Sequence, residues 1–297
     1  MYHFILQLNK MPVEKLKPKD GFQELISEVE ELKSKISKPV GKIAEWLGKL
    51  WEKQKERLEK KSLNFLEAKK TIRSDYGKFF TENDLVEIER KLDSKREEVN
   101  NCFEKYKELN EPNLKFLPFL LGYLWYNSLK DKNDYLAVVD FSMDAESNRL
   151  FLINMKSNKV EINTTCMQWE WKNWVQTFSN ENDSWQTSLG LVQVPVNRER
   201  SKKNKRWVKW YLWDEEYWWV QPYKKEDKKL MLCWLEPGFN DNTYARHIYM
   251  HTWDRSKGCF TLPQNKEWND VLRKMAFWGV GEAFYPGEYV KDTLLLG

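Results

Sequence analysis

The chain has 297 residues with 49 basic and 45 acidic side chains, a formal net charge of +4, and 41% hydrophobic against 32% charged residues. With 12 Gly and 10 Pro it is neither collagen-like nor low-complexity, and its longest apolar run, Phe116 to Trp125, is about half the roughly 20 residues that a membrane span needs. The small, unclustered basic excess argues against nucleic acid as a partner, and the length suits two domains or one large one.

Residues 20 to 110 read as helices. Phe22, Leu25, Val29, Leu32 and Ile36 recur at spacings of three and four with Glu28, Glu30 and Lys33 between them, the pattern of a coiled-coil seam with a solvated face. A second helix is predicted over Val40 to Tyr76, with Ile43, Trp46, Leu50 and Trp51 on its early apolar face. A third carries Leu85, Ile88, Leu92, Val99, Cys102 and Tyr106, with Lys95 at one core position. The three fit a stalk or bundle, able to serve as spacer or dimerisation arm, or an ordinary helical layer packed on its neighbour. Pro112 and Pro118 interrupt the pattern, so the boundary is placed between residues 113 and 114. The apolar segment Phe116 to Tyr126 then fits a buried helix.

From Tyr135 the period changes. Tyr135 to Phe141, Leu150 to Met155 and Val160 to Thr165 read as strands separated by the turn clusters Asp144 to Asn148 and Ser157 to Lys159. Ser188 to Val194, Trp207 to Trp213, Leu230 to Leu235 and His247 to His251 are further strand candidates. The expected fold class is α+β: an N-terminal helical, coiled-coil-like bundle over 1–113, then a mostly β domain over 114–297. Of 16 tryptophans, all but Trp46, Trp51 and Trp125 lie beyond residue 150. They fit either a sugar-stacking groove or the filling of a β core. The basic stretch Lys202 to Arg206 reads as a solvated hairpin tip or a hold for an acidic polymer.

The four cysteines, Cys102, Cys166, Cys233 and Cys259, are far apart, and the histidines are His3, His247 and His251, so a zinc cluster has little to draw on. One stretch combines reactive types: His251 at the end of an alternating strand, then Ser256, Lys257, Gly258 and Cys259. A thiol attacks as thiolate, and an imidazole can take its proton and return it to a leaving amine. A glycine beside the thiol leaves backbone N–H groups open to a developing oxyanion. A cysteine near a histidine in a buried strand also fits plain packing. His247, four residues before His251 on a strand, would stand roughly 13 Å from it, out of reach of the thiol.

The chain resembles the L,D-transpeptidase catalytic domain, the YkuD-like fold, in its branch with short His-to-Cys spacing. The resemblance spans about residues 135 to 285. It rests on the strand pair Tyr135 to Ser142 and Arg149 to Asn154; on Phe178-Ser179-Asn180 with Thr187-Ser188-Leu189-Gly190; on Leu235 to Asn242 with Arg246 and Ile248; and on the Ser-x-Gly-Cys box Ser256 to Cys259. Lys257 stands where many members have His, which leaves His251 as the base, and Phe260 and Thr261 follow the cysteine where many have Arg. The resemblance implies a cysteine acyltransferase acting on peptidoglycan stem peptides, as transpeptidase or carboxypeptidase. Cys259 is then nucleophile and His251 base, Gly258 and Cys259 form the oxyanion site and Ser256 braces the loop. Arg255, Arg246, Trp253 and Lys257 are assigned to substrate binding. The expected location is periplasm or cell envelope, with secretion as the alternative, although Met1 to Lys10 has no signal-peptide pattern. The heptad-like pattern allows a homodimer through the helical half. The competing functions are a non-enzymatic, glycan-binding coiled-coil adaptor and an exported wall-degrading toxin using the same Cys/His site.

Overall fold

The computed structural model describes residues 41–169, 178–181, 184, 186–194, 229–231, 233–234, 240, 242–243, 246, 248–252, 257–263, 266–275 and 279–286. The expected helix over 20–36, the basic stretch 202–206, the strand candidate 207–213, His247, and Trp253, Arg255 and Ser256 lie outside the described residues.

Among the described residues four helices come first: α1 (Gly41–Tyr76), α2 (Glu82–Ser94), α3 (Arg96–Leu109) and α4 (Phe116–Ser128). The single helix expected over 85–106 is two, because Lys95 leaves helical geometry at φ −119°, ψ 32°. A capping box opens α2. The Thr81 hydroxyl accepts from the Asp84 N–H at 3.2 Å, while the Thr81 N–H donates to Asp84 Oδ2 at 3.0 Å. Asn110, left-handed at φ 49°, closes α3 ahead of Pro112. Leu85, Ile88, Leu92, Val99 and Cys102, the seam that the sequence offered to a second copy, are buried in the chain's own core. That part of the helical half is therefore packed inside the chain, α3 lying between α1 and α4, and a dimer cannot use this seam. Charged pairs bind the layer laterally: Lys69 to Asp93 at 2.8 Å, and Arg73 to both Glu82 and Glu89.

The strands are β1 (Tyr135–Asp140), β2 (Asn148–Asn154), β3 (Lys159–Thr165), β4 (Met167–Trp169), β5 (Gly190–Gln193), β6 (Lys229–Met231), β7 (Cys233–Trp234), β8 (Tyr249–Thr252), β9 (Lys257–Leu262) and β10 (Val280–Phe284), with α5 (Lys266–Met275) between the last two. One sheet runs β3-β2-β1-β10-β5-β7 and the other β4-β9-β8-β6. The expected strand over 230–235 is divided between them: Met231 pairs with Tyr249 in the second sheet, Cys233 with Gln193 in the first. β1 lies parallel to β10, a pairing that needs the long crossover that the rest of the chain supplies. Both central strands are buried along nearly their whole length, so β1 reads as an apolar run rather than an alternation, while β10 buries Glu282 at its centre.

The apolar helix α4, buried on nearly all sides, packs on β1 and β10. The core passes without a break from the helices into both sheets. Phe103 meets Phe116 edge-on at 4.9 Å, Tyr76 meets Phe284 at 5.2 Å, and Phe141 meets Phe260 at 5.9 Å. Residues 113 and 114 thus lie in a loop between two helices that share one core. Trp268, on α5, is buried in that core. Among the described residues no helix is long and apolar enough to cross a membrane.

Candidate active site

The candidate site sits on the two parallel strands β8 and β9. Their register sets Met250 opposite Phe260 and His251 opposite Thr261. Alternation along a strand sends Met250 and Phe260 into the core, and both are buried there. Cys259 and His251 therefore share the opposite face, one diagonal step apart on neighbouring strands, a separation of roughly 7–8 Å between backbones that side chains can bridge. Both are nearly buried, at 9% and 5% exposure. The Tyr249 N–H donates to Cys259 Sγ at 3.4 Å, a bond that favours the thiolate. Thr261, opposite His251, ties β9 to β4 by donating its hydroxyl to the Met167 carbonyl at 3.2 Å.

Gly258 has φ +93°, a conformation that side-chain-bearing residues avoid. A Cβ there would lie 2.5 Å from the Gln186 carbonyl oxygen and 3.2 Å from Arg246 Nη2. Conformation and close approach both require glycine at this position.

Arg246 closes the far side. Its Nη1 donates to the Ser179 carbonyl at 2.6 Å and to Ser188 Oγ at 2.8 Å; its Nη2 donates to Ser184 Oγ at 3.0 Å and to the Gln186 carbonyl. The segment so gripped is itself braced: the Ser179 N–H donates to the Thr187 carbonyl at 3.1 Å, and Ser188 Oγ donates to the Ser179 carbonyl at 3.2 Å. Asn240, fully buried, donates through Nδ2 to the carbonyls of Leu189 and Leu191, at 3.0 and 2.8 Å. The Asn242 side chain donates to the Asn180 carbonyl at 3.0 Å. A turn then leads into β8, with the Arg246 N–H on the Asn242 carbonyl at 2.8 Å and the Ile248 N–H on the Thr243 carbonyl at 2.9 Å.

The other described cysteines stand in different surroundings. Burial pushes the Cys102 thiol well above the usual range and the Cys166 thiol up to about 12, against a partial opposing pull from Arg149 on the latter.

Of the residues assigned from sequence, Cys259, His251 and Gly258 come together, and Arg246 reaches the same place. Lys257 opens β9 opposite Trp169. Sequence reasoning gave no part to Ser184 or Gln186, and no role to Ser179, Ser188, Asn240 or Asn242, although the last four fall within the segments that carried the resemblance. The available signal was a cationic side chain close in sequence to the histidine strand, with several Ser and Asn residues for it to bond.

Residues 112–206 match the sequence model of the L,D-transpeptidase catalytic domain. The match takes in α4 and β1 to β5, about a third of the chain. It begins ahead of residue 135, where the resemblance was drawn to start, and ends before His251 and Cys259. Neither the curated proteins nor the solved structures give a match. The chain is thus an α+β protein in which residues 112–206, from α4 to β5, match the L,D-transpeptidase catalytic domain.

Proposed function

We propose that the chain is a cysteine acyltransferase acting on peptidoglycan stem peptides in the cell envelope, with residues 114–297 carrying the chemistry and residues 1–113 supporting it. The observation that carries this reading is the β8–β9 register, which puts Cys259 and His251 on one face a diagonal step apart, beside a glycine at positive φ.

His251 takes the thiol proton as Cys259 Sγ attacks the carbonyl carbon of an L-to-D peptide bond. The S–C bond forms and the carbonyl π electrons move to oxygen, where the Gly258 and Cys259 N–H groups receive the negative charge. Collapse breaks the C–N bond, and His251 returns its proton to the departing amine of the D-residue. The remaining thioester then meets an amine, giving transpeptidation, or water, giving carboxypeptidation. The nucleophile's proton passes through His251 back to sulfur as the C–S bond breaks. Every electron and proton is accounted for without a metal or organic cofactor. Ser256 braces the nucleophile loop, and Trp253, Arg255 and Lys257 are the proposed substrate contacts.

Mass spectrometry of muropeptides incubated with the purified protein tests the reaction, together with the mass of its carbapenem adduct. Turnover and adduct are expected in the wild type and in Cys102→Ala and Cys166→Ala. Cys259→Ala should form no adduct and lose on the order of a millionfold in rate, as nucleophile removal does elsewhere. Turnover retained in Cys259→Ala would remove the mechanism.

A further inference from the structure

We infer that Arg246 is a positioning residue that stabilises the Cys259 thiolate, its guanidinium being held against the start of β9 by the 179–188 segment and so withheld from substrate. The inference rests on reading Cys259 as the nucleophile and departs from a substrate-binding role for Arg246.

A guanidinium offers five N–H donors in a planar fork, and a substrate carboxylate is gripped through two of them side by side. Both terminal nitrogens of Arg246 are already engaged, each with two acceptors, in Ser179, Ser188, Ser184 and Gln186. Each of those acceptors is a backbone carbonyl or a hydroxyl, so they fix the group in place without neutralising its charge. A half-buried cation with neutral partners favours an anion nearby.

The start of β9, the strand that carries the nucleophile, is where that charge falls. Nη2 lies 3.2 Å from the position a Cβ would take on Gly258, the residue directly before Cys259. Burial lowers the Arg246 guanidinium, and the neighbouring Cys259 acts in the opposite sense. Cys259 is nearly buried, a setting that by itself raises a thiol, and a fixed cation and the Tyr249 N–H each offset part of the cost of its ionisation. His251 can then act as proton carrier while the charge that holds the thiolate comes from a group that stays cationic at every working pH.

The test is the pH dependence of Cys259 alkylation by iodoacetamide, an uncharged reagent, read by mass on the full chain. It needs no substrate and no turnover. In His251→Gln the alkylation midpoint is expected to stay below the free-thiol value of about 8.5, because Arg246 remains. In Arg246→Gln the midpoint should rise by about one unit or more, so that alkylation at pH 7 slows about tenfold. Arg246→Lys, which keeps the charge and gives up the fork, should recover most of that loss. An unshifted midpoint in Arg246→Gln would overturn the inference, and so would Arg246→Lys behaving like Arg246→Gln, which is the signature of a purely structural clamp. If circular dichroism finds the Arg246 variants unfolded, His251→Gln decides: a midpoint at or above about 8.5 overturns the inference. A chain that meets these expectations yet leaves muropeptides unchanged would fail the proposed reaction and keep the role of Arg246.

Discussion

Gly258 joins the backbone and the chemistry at one residue. Its φ of +93° and the 2.5 Å approach of the Gln186 carbonyl to its missing Cβ predict that Gly258→Ala cannot be absorbed by a small adjustment. The positive φ alone costs on the order of 1–3 kcal/mol for a residue with a side chain. Relieving the contact would also move Gln186 off Arg246 Nη2. The expected outcome is a chain less stable by at least that amount in urea denaturation, with slower alkylation of Cys259. Unchanged stability would mean that the start of β9 has another conformation open to it. The types of Cys259, His251 and Gly258 were legible from sequence, since few side chains can do acyl transfer and they cluster within nine positions of one another. The Arg246 clamp was not legible, because its acceptors lie 58 to 67 positions away and only the folded chain brings them near.

At the scale of elements, β1, β2 and β3 follow the sequence closely, because apolar runs bounded by turn clusters are local signals that tertiary contacts here reinforce. The break between α2 and α3 falls at Lys95, a residue with no intrinsic reason to end a helix. The division of 229–234 between two sheets is likewise set by distant partners, Gln193 for one piece and Tyr249 for the other. A further long-range tie joins the helical layer to the sheet. Tyr76, the last residue of α1, donates its hydroxyl to Asp140 Oδ2 at 2.9 Å, while the Ser142 N–H donates to Oδ1 at 2.9 Å. Burial raises the Asp140 carboxyl, and the bonds from Ser142 and Tyr76 pull it back part of the way. Tyr76→Phe removes one of the donors that satisfy a buried carboxylate, at a cost of about 1–3 kcal/mol. The variant's carboxyl titrates higher still in the fold, so the cost is full where Asp140 is ionised and shrinks as pH falls through its folded titration. Urea denaturation at pH 7 and near pH 4 should give the larger difference from wild type at pH 7. An equal difference at both would mean that the bond contributes packing and no charge stabilisation.

For the whole molecule, composition and periodicity located the change from helix to strand, yet how the two parts meet depends on contacts that no local pattern encodes. The chemistry is proposed for residues 114–297, and the core that supports them begins earlier. Phe116 packs edge-on against Phe103, Phe119 lies 6.1 Å from Tyr106, and Phe284, the last residue of β10, faces Tyr76. A fragment beginning at Leu114 would expose α4, which is buried on nearly all sides, and would strip Asp140 of its Tyr76 donor. Fully burying one Phe or Leu side chain is worth about 1.5–3 kcal/mol, and a whole domain is stable by only about 5–15 kcal/mol, so losing several such contacts at once is decisive. The fragment should therefore lack a cooperative thermal transition by circular dichroism and take no carbapenem adduct at Cys259. A chain starting near Gly41 keeps α1 and should show a cooperative transition. A 114–297 fragment that melts cooperatively and acylates as fast as the full chain would establish that the helical layer is an accessory, and that the sheets hold Cys259 in place by themselves.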